Sequence, residues 1–160
     1  MNGVSSQTRF RMRAQLIAGA AAVAVAIMAG TFGAPATASA QGTQPVLLAS
    51  GQFGAVDGLH KGQGNARVYR LSGGQRVLRL EEFKVTNGPD LYVYLSGHAA
   101  PRNSSQLHDG GALEVGRLKG NIGNQNYALP ADVDLSKFKS VVIYCKRFSV
   151  VFSTAELSRS

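Results

Sequence analysis

Downstream of Pro45 the apolar residues recur with a period close to two, in short runs broken by glycine, asparagine and proline about every ten residues. Alternation of this kind sends successive side chains to opposite faces of an extended strand. The pattern predicts strands over Val46–Phe53, Ala66–Leu71, Arg76–Leu80, Leu91–Ser96, Leu113–Leu118, Asn126–Leu129, Val141–Cys145 and Val150–Thr154. Ser72-Gly73-Gly74-Gln75 has the composition of a tight hairpin turn. Asn87-Gly88-Pro89-Asp90 is a second turn, because glycine tolerates positive φ and proline fixes its own. Glu81-Glu82 interrupts the phase of Leu78 and Leu80 before Phe83 and Val85 resume it, which predicts a bulge. The single helical signal is Asp132–Phe138, where an aspartate can cap one turn. The expected fold class is all-β: an antiparallel β-sandwich of about eight short strands with at most one short helical turn, a barrel being the less favoured closure.

The first forty residues follow a different grammar. Arg9, Arg11 and Arg13 precede the apolar run Leu16–Ala29, and Ala38-Ser39-Ala40 offers small residues where a signal peptidase cuts. The run is short of the roughly 20 residues a membrane span needs. Residues 1–40 are therefore expected to be a Sec-type signal peptide, with an uncleaved anchor as the competing arrangement. Export to the periplasm, the cell envelope or the exterior follows, with no transmembrane span after cleavage. Residues 41–48 form a flexible lead-in, 49–157 the domain and 158–160 a frayed tail.

The leader would take three of the 17 Lys and Arg and none of the 9 Asp and Glu, lowering the formal net charge from +8 to +5. These charges are scattered singly, without the basic stripe that marks a nucleic-acid surface. About 120 residues suffice for one core, so neither a disulfide nor a metal staple is required.

The candidate chemistry centres on one cysteine. Cys145 ends the run Ser140-Val-Val-Ile-Tyr-Cys145 and is followed by Lys146-Arg147. Counting by twos puts its thiol with Ile143 and Val141, the setting of an inert core cysteine. Against that, the following cations would favour a thiolate, and an unpaired thiol is unusual in an exported protein. Of the three histidines, His98 and His108 fall in the loop Gly97–Gly111 and are expected to be solvated. His60 sits where a loop enters a strand and is the better candidate for a base or ligand. Their spacing matches no zinc pattern; haem or copper could accept Cys with His, yet nothing in the sequence requires a cofactor or fixes a metal. No hydrolase motif occurs. Asn124, Gln125 and Tyr127 have the ingredients of a sugar-binding loop, although Asn and Gly also make loops for backbone reasons.

An ordered set of segments carries a resemblance: Gly51-Gln-Phe53; His60 with Gly62 and Gly64; Leu78–Phe83; Gly88–Ser96; Leu118–Pro130; and Val141–Phe152. Together, from about Ala49 to Leu157, they resemble the DM-thirteen domain, an "electron transfer" DM domain. The resemblance implies a β-sandwich and a redox role. It places the family cysteine at Cys145, the family histidine at His60 and the Gly-Pro-Asp turn at Gly88, Pro89 and Asp90. It also implies a separate redox partner, because no cytochrome or DOMON module accompanies the domain. Two functions are then expected. In one, Cys145 is a redox thiol, with His60 as base or ligand and Lys146 and Arg147 stabilising the thiolate. In the other, the domain is a binding or adhesion module for a cell-surface ligand, and Cys145 is a buried core residue.

Overall fold

The computed structural model describes residues 44–160. The leader, its cleavage site and the start of the lead-in fall outside the described residues. All eight expected strands form. In chain order the elements are β1 (Val46–Ala55), β2 (Gly62–Arg70), β3 (Arg76–Val85), β4 (Leu91–Ser96), α1 (Ser104–His108), β5 (Ala112–Arg117), β6 (Gln125–Ala128), a 3-10 turn (Leu135–Lys137), β7 (Ser140–Cys145), β8 (Val150–Glu156) and β9 (Ser158–Arg159).

Every strand pairing is antiparallel, in the order β5-β4-β7-β8-β1-β2-β3-β6. β1 joins the two layers: its first part pairs with β2, and Phe53–Ala55 switch to β8. The inward faces of both layers meet in one core, with Val68, Leu78, Leu80 and Phe83 from one side and Val93, Leu95, Val141, Ile143 and Cys145 from the other. A smaller cluster lies on the outer face of the β4–β7–β8 layer, where Val142, Tyr144, Val151 and Tyr94 are covered by Leu107 of α1.

The bulge falls where the phase break put it. Gln63 pairs with Lys84 and Asn65 with Glu81, so Glu82 and Phe83 oppose Gly64 alone. Glu82 has φ 50°, and its N–H, left without a ladder partner, donates to Asn124 Oδ1 at 2.8 Å. Gly64 has φ +97°, and a Cβ there would lie 2.6 Å from two carbonyl oxygens of the bulge. The hairpin closes with Leu71 N donating to Gln75 O at 2.8 Å and Gly74 N to Leu71 O at 2.9 Å, Gly74 standing at φ +81°. The 3-10 turn is capped by Asp134, whose side chain accepts from Ser136 N.

Three expectations need correction. α1 is a second helical element, capped by Asn103, whose Oδ1 accepts from Gln106 N at 3.0 Å. With five residues and Leu107 alone buried, it has too few apolar positions to show a period. The tail is not frayed: Ser158 and Arg159 pair with Ser50 and Ala49, and the Arg159 guanidinium donates to the carbonyls of Leu135 and Phe138. The lead-in ends sooner than residue 48, because β1 already pairs Val46 with Arg70.

The strand directions gather the connections at two rims. One carries residues 56–61, 86–90, 118–124 and 146–149; the other carries 71–75, 129–139 and the two ends of 97–111, whose middle part, with α1, folds back over the β4–β7–β8 face as far as Val56.

Candidate functional site

Cys145 is the last residue of β7, at the first of these rims. It pairs with Leu91 on one side and Val150 on the other. Its side chain is completely buried in the main core, with Ile143 and Val141 on the same face, as the alternation predicts.

Above this strand end the rim is closely packed. The His60 ring lies 4.5 Å from the Phe152 ring, centroid to centroid, in an edge-on arrangement. Its Nδ1 is 2.7 Å from Asp57 Oδ2, while Asp57 Oδ1 accepts from the backbone N–H groups of Leu59 and His60. These bonds hold the Asp57 carboxyl at about 2, the His60 side chain contributing most. Gly88 lies against Leu91 and Phe152, and a Cβ there would approach their side chains to 2.8–2.9 Å. Glycine is thus needed for space, not for the positive φ expected of it, since Gly88 is absent from the residues with positive φ. Asp90 follows Pro89 and ends the turn; its carbonyl accepts from Lys146 N at 3.1 Å and its carboxylate lies 3.7 Å from Arg117. A chain of neighbours therefore runs from His60 to Phe152, to Gly88 and Leu91, and to the strand partner Cys145. His60 itself makes its side-chain hydrogen bond to Asp57, and none joins it to the thiol.

The cations after Cys145 do not gather around its sulfur. Lys146 lies on the opposite face of the sheet, with Nζ 2.6 Å from Glu114 Oε2 and 3.9 Å from the centroid of the Tyr92 ring. Glu114 also accepts from Tyr94 Oη at 2.8 Å. The Lys146 ammonium keeps the Glu114 carboxyl below the usual carboxylate range, and burial, reinforced by Glu114, pushes Tyr94 up to about 12. Arg147 is exposed in the turn between β7 and β8.

The amide cluster builds a loop and offers little to a sugar. Asn124 caps the bulge at Glu82. Gln125 Oε1 accepts from Lys119 N and from Tyr127 Oη, while its Nε2 donates to Gly120 O. Both Gln125 and Tyr127 are buried. These polar atoms already have internal partners, and Lys119 Nζ rests 5.0 Å from the Tyr127 ring centroid.

The residues present do not fit copper or haem. Copper ligation needs imidazoles converging on the thiolate, whereas among the described residues no three His, Cys, Asp or Glu side chains converge. A haem site needs an apolar slot with an axial donor facing it. A cleft of about 350 Å³ does contain His98, but Gly97, Asp109, Gly110 and Lys139 line it too, and His98 Nδ1 already accepts from Ala100 N. A cleft of about 540 Å³, lined by Tyr69, Leu71, Val77 and Arg79 among others, contains neither His nor Cys. Neither histidine is the solvated loop residue expected: His98 is half-buried, and His108, although exposed, is the last residue of α1.

The role of Phe152 is not legible in the sequence. Phe152 occupies the register shift between the Ile143–Ser153 and Tyr144–Val151 pairs, which the sequence does not announce. Tyr92 and Tyr94 stand two apart in the strand sequence, but the Glu114 partner of Tyr94 follows only from the β4–β5 pairing.

A family model described as "Electron transfer DM13" matches residues 52–157. No curated protein and no solved structure matches the chain.

Proposed function

The chain belongs to the DM13 electron-transfer family, and we propose that its part in electron transfer is centred on the thiol of Cys145, reached by local opening of the rim above it. The observation that carries this reading is the position of Cys145. It is the one sulfur among residues 44–160, and it ends a strand directly beside a rim built from four connections. In the closed arrangement the thiol is shielded. In this reading, displacement of the Gly88–Asp90 turn and Phe152 exposes it.

A lone thiol reacts through another molecule. The Cys145 thiolate attacks a partner protein's disulfide; a mixed disulfide forms, and the displaced sulfur leaves as a thiolate that takes up a proton. Two molecules of a small thiol then resolve the mixed disulfide. They emerge joined as a disulfide, Cys145 returns to the thiol, and the partner is left reduced. In this proposal the domain acts outside the cytoplasm, delivered by residues 1–40, and its redox partner is a separate protein. His60 would serve in the opened state, where its ring has left Phe152.

A second reading is favoured by the complete burial of Cys145 together with the commitment of Lys146 to Glu114. There the domain is a non-catalytic binding or adhesion module for a cell-surface ligand, and Cys145 is packing alone.

Alkylation of the native protein across pH and low denaturant, beside an unfolded control, separates the two. Local opening gives modification that is slow but insensitive to low denaturant, since little surface is exposed. Modification that rises with denaturant as steeply as global unfolding overturns the thiol-centred reading.

A further inference from the structure

Four large hydrophobic side chains are well exposed among the described residues, and three of them stand on one rim: Leu59 at 78%, Ile122 at 72% and Phe148 at 62% exposure. Single exposed hydrophobics need no explanation, but clustering at one end of a fold does. The three belong to different connections, β1–β2, β5–β6 and β7–β8, and each has a cation within three residues. Leu59 precedes His60-Lys61, Ile122 follows Lys119, and Phe148 follows Lys146-Arg147.

Backbone and side-chain hydrogen bonds tie these connections together through the segment Val85–Asp90. Thr86 N donates to Lys61 O at 2.9 Å, and Lys61 N to Thr86 Oγ1 at 3.1 Å. Val85 N donates to Asn121 O at 2.9 Å, Asn121 Nδ2 to Asn87 Oδ1 at 2.5 Å, and Lys146 N to Asp90 O at 3.1 Å. The apolar tips are therefore carried on a braced support.

Charge at this end is predominantly positive. Asp90 is paired with Arg117 and Glu114 with Lys146, whereas the side-chain partner of Asp57 is the His60 imidazole, which offsets its charge only when protonated. Among the described residues at this end of the fold, Lys61, Lys84, Lys119 and Arg147 form no ion pair with a carboxylate, against Glu82 and Asp57 on the acidic side.

We propose that this rim docks on the surface of a membrane rich in anionic lipid, with Leu59, Ile122 and Phe148 entering the headgroup boundary and Lys61, Lys84 and Arg147 facing lipid phosphates. A protein interface would present a continuous apolar centre with a polar margin. Here separate tips each stand beside a cation, which suits a fluid surface that receives side chains one by one. Each basic residue near an anionic leaflet strengthens binding about fivefold, an effect that falls off within a Debye length.

The test uses the full chain with phosphatidylcholine vesicles, with and without phosphatidylglycerol, followed by sedimentation and hydrogen exchange. Anionic vesicles should protect amides in 57–61, 120–124 and 146–149 but not in 72–75 or 131–137. A triple variant, Leu59→Ser, Ile122→Ser and Phe148→Ser, keeps residues 1–43, so any binding by the leader is common to both proteins. Its affinity for anionic vesicles should fall about tenfold or more, and added salt should weaken the wild type. Equal binding by both proteins, or protection at the opposite rim, overturns the proposal. So does capture of an acidic protein on this rim without any vesicle-induced protection. Should the variant fail to fold, the exchange pattern of the wild type decides. Neither readout involves the thiol, so this proposal and the one for Cys145 fail independently.

Discussion

Lys146 Nζ lies 3.9 Å from the centroid of the Tyr92 ring, on the face of the sheet opposite the Cys145 thiol. Adjacent in sequence, the ammonium and the sulfur are separated by the strand itself. Replacing Lys146 with Met should therefore leave the rate and pH dependence of Cys145 alkylation unchanged, and should let the Glu114 carboxyl titrate higher than it does beside the ammonium. Alkylation kinetics with carbonyl-carbon NMR of Glu114 check both. A slower thiol in the variant would show that the cation does act on the sulfur.

The same alternation explains what could and could not be read from the sequence. Period two located every long strand and put Cys145 with Ile143 and Val141; applied one residue further, it also turns Lys146 away from them. Turn composition located the Gly74 hairpin and the Gly88 turn, but the reason for Gly88 is the Phe152 ring, contributed by a strand about sixty residues later. Ser158–Arg159 and Ser104–His108 carry too few apolar residues to show a period, and tertiary partners determine them. The gathering of Leu59, Ile122 and Phe148 on one rim depends on strand order, which local pattern does not encode.

Gly88→Ala should destabilise the fold by about 1–3 kcal/mol, the usual range for overpacking. The new methyl would meet Leu91 Cδ2 and two Phe152 ring atoms at 2.8–2.9 Å, and those side chains are themselves buried. A lower denaturant midpoint with an unchanged m-value is the expected result. No loss of stability would mean that Phe152 moves easily, which would itself favour an openable cover over the thiol.

At Cys145 the polarity of the replacement should matter more than its size. Cys145→Ala removes one buried heavy atom and should cost about 1 kcal/mol. Cys145→Ser keeps the size but buries a hydroxyl among aliphatic side chains, a desolvation penalty of about 1–3 kcal/mol. Denaturant unfolding should rank wild type above Ala and Ala above Ser. A serine variant as stable as alanine would reveal a polar partner near the sulfur, which an inert core thiol lacks.

Tyr94 ties stability to alkaline pH. Burial, the hydrogen bond to Glu114 and the Glu114 charge raise it to about 12 from an ordinary 10. The unfolded chain releases this proton first, so the contribution is complete below pH 10 and is lost as pH rises through 12. Ultraviolet titration should show Tyr94 among the last tyrosines to ionise, and Glu114→Gln should bring its midpoint down. An unchanged midpoint in the variant would leave burial as the whole cause.

The opposite sign applies to Asp57. Its bonds to the His60 side chain and to two backbone N–H groups lower its carboxyl from 3.8 to about 2. On acidification the unfolded chain takes up this proton first, near pH 4. The stabilisation is therefore present above that value and disappears as pH falls through 2. Protonation should release the ordered turn from Asp57 to Lys61 and free His60 from its carboxylate partner. NMR of the Asp57 carboxyl should give a midpoint of about 2, with exchange at the Leu59 and His60 amides accelerating over the same interval. In Asp57→Asn the acceptor remains but the charge is gone, so amide protection should be weaker at neutral pH and nearly flat down to pH 2. An Asp57 midpoint near its ordinary value would remove the carboxylate as the organiser of this loop, and with it the support that holds His60 against Phe152.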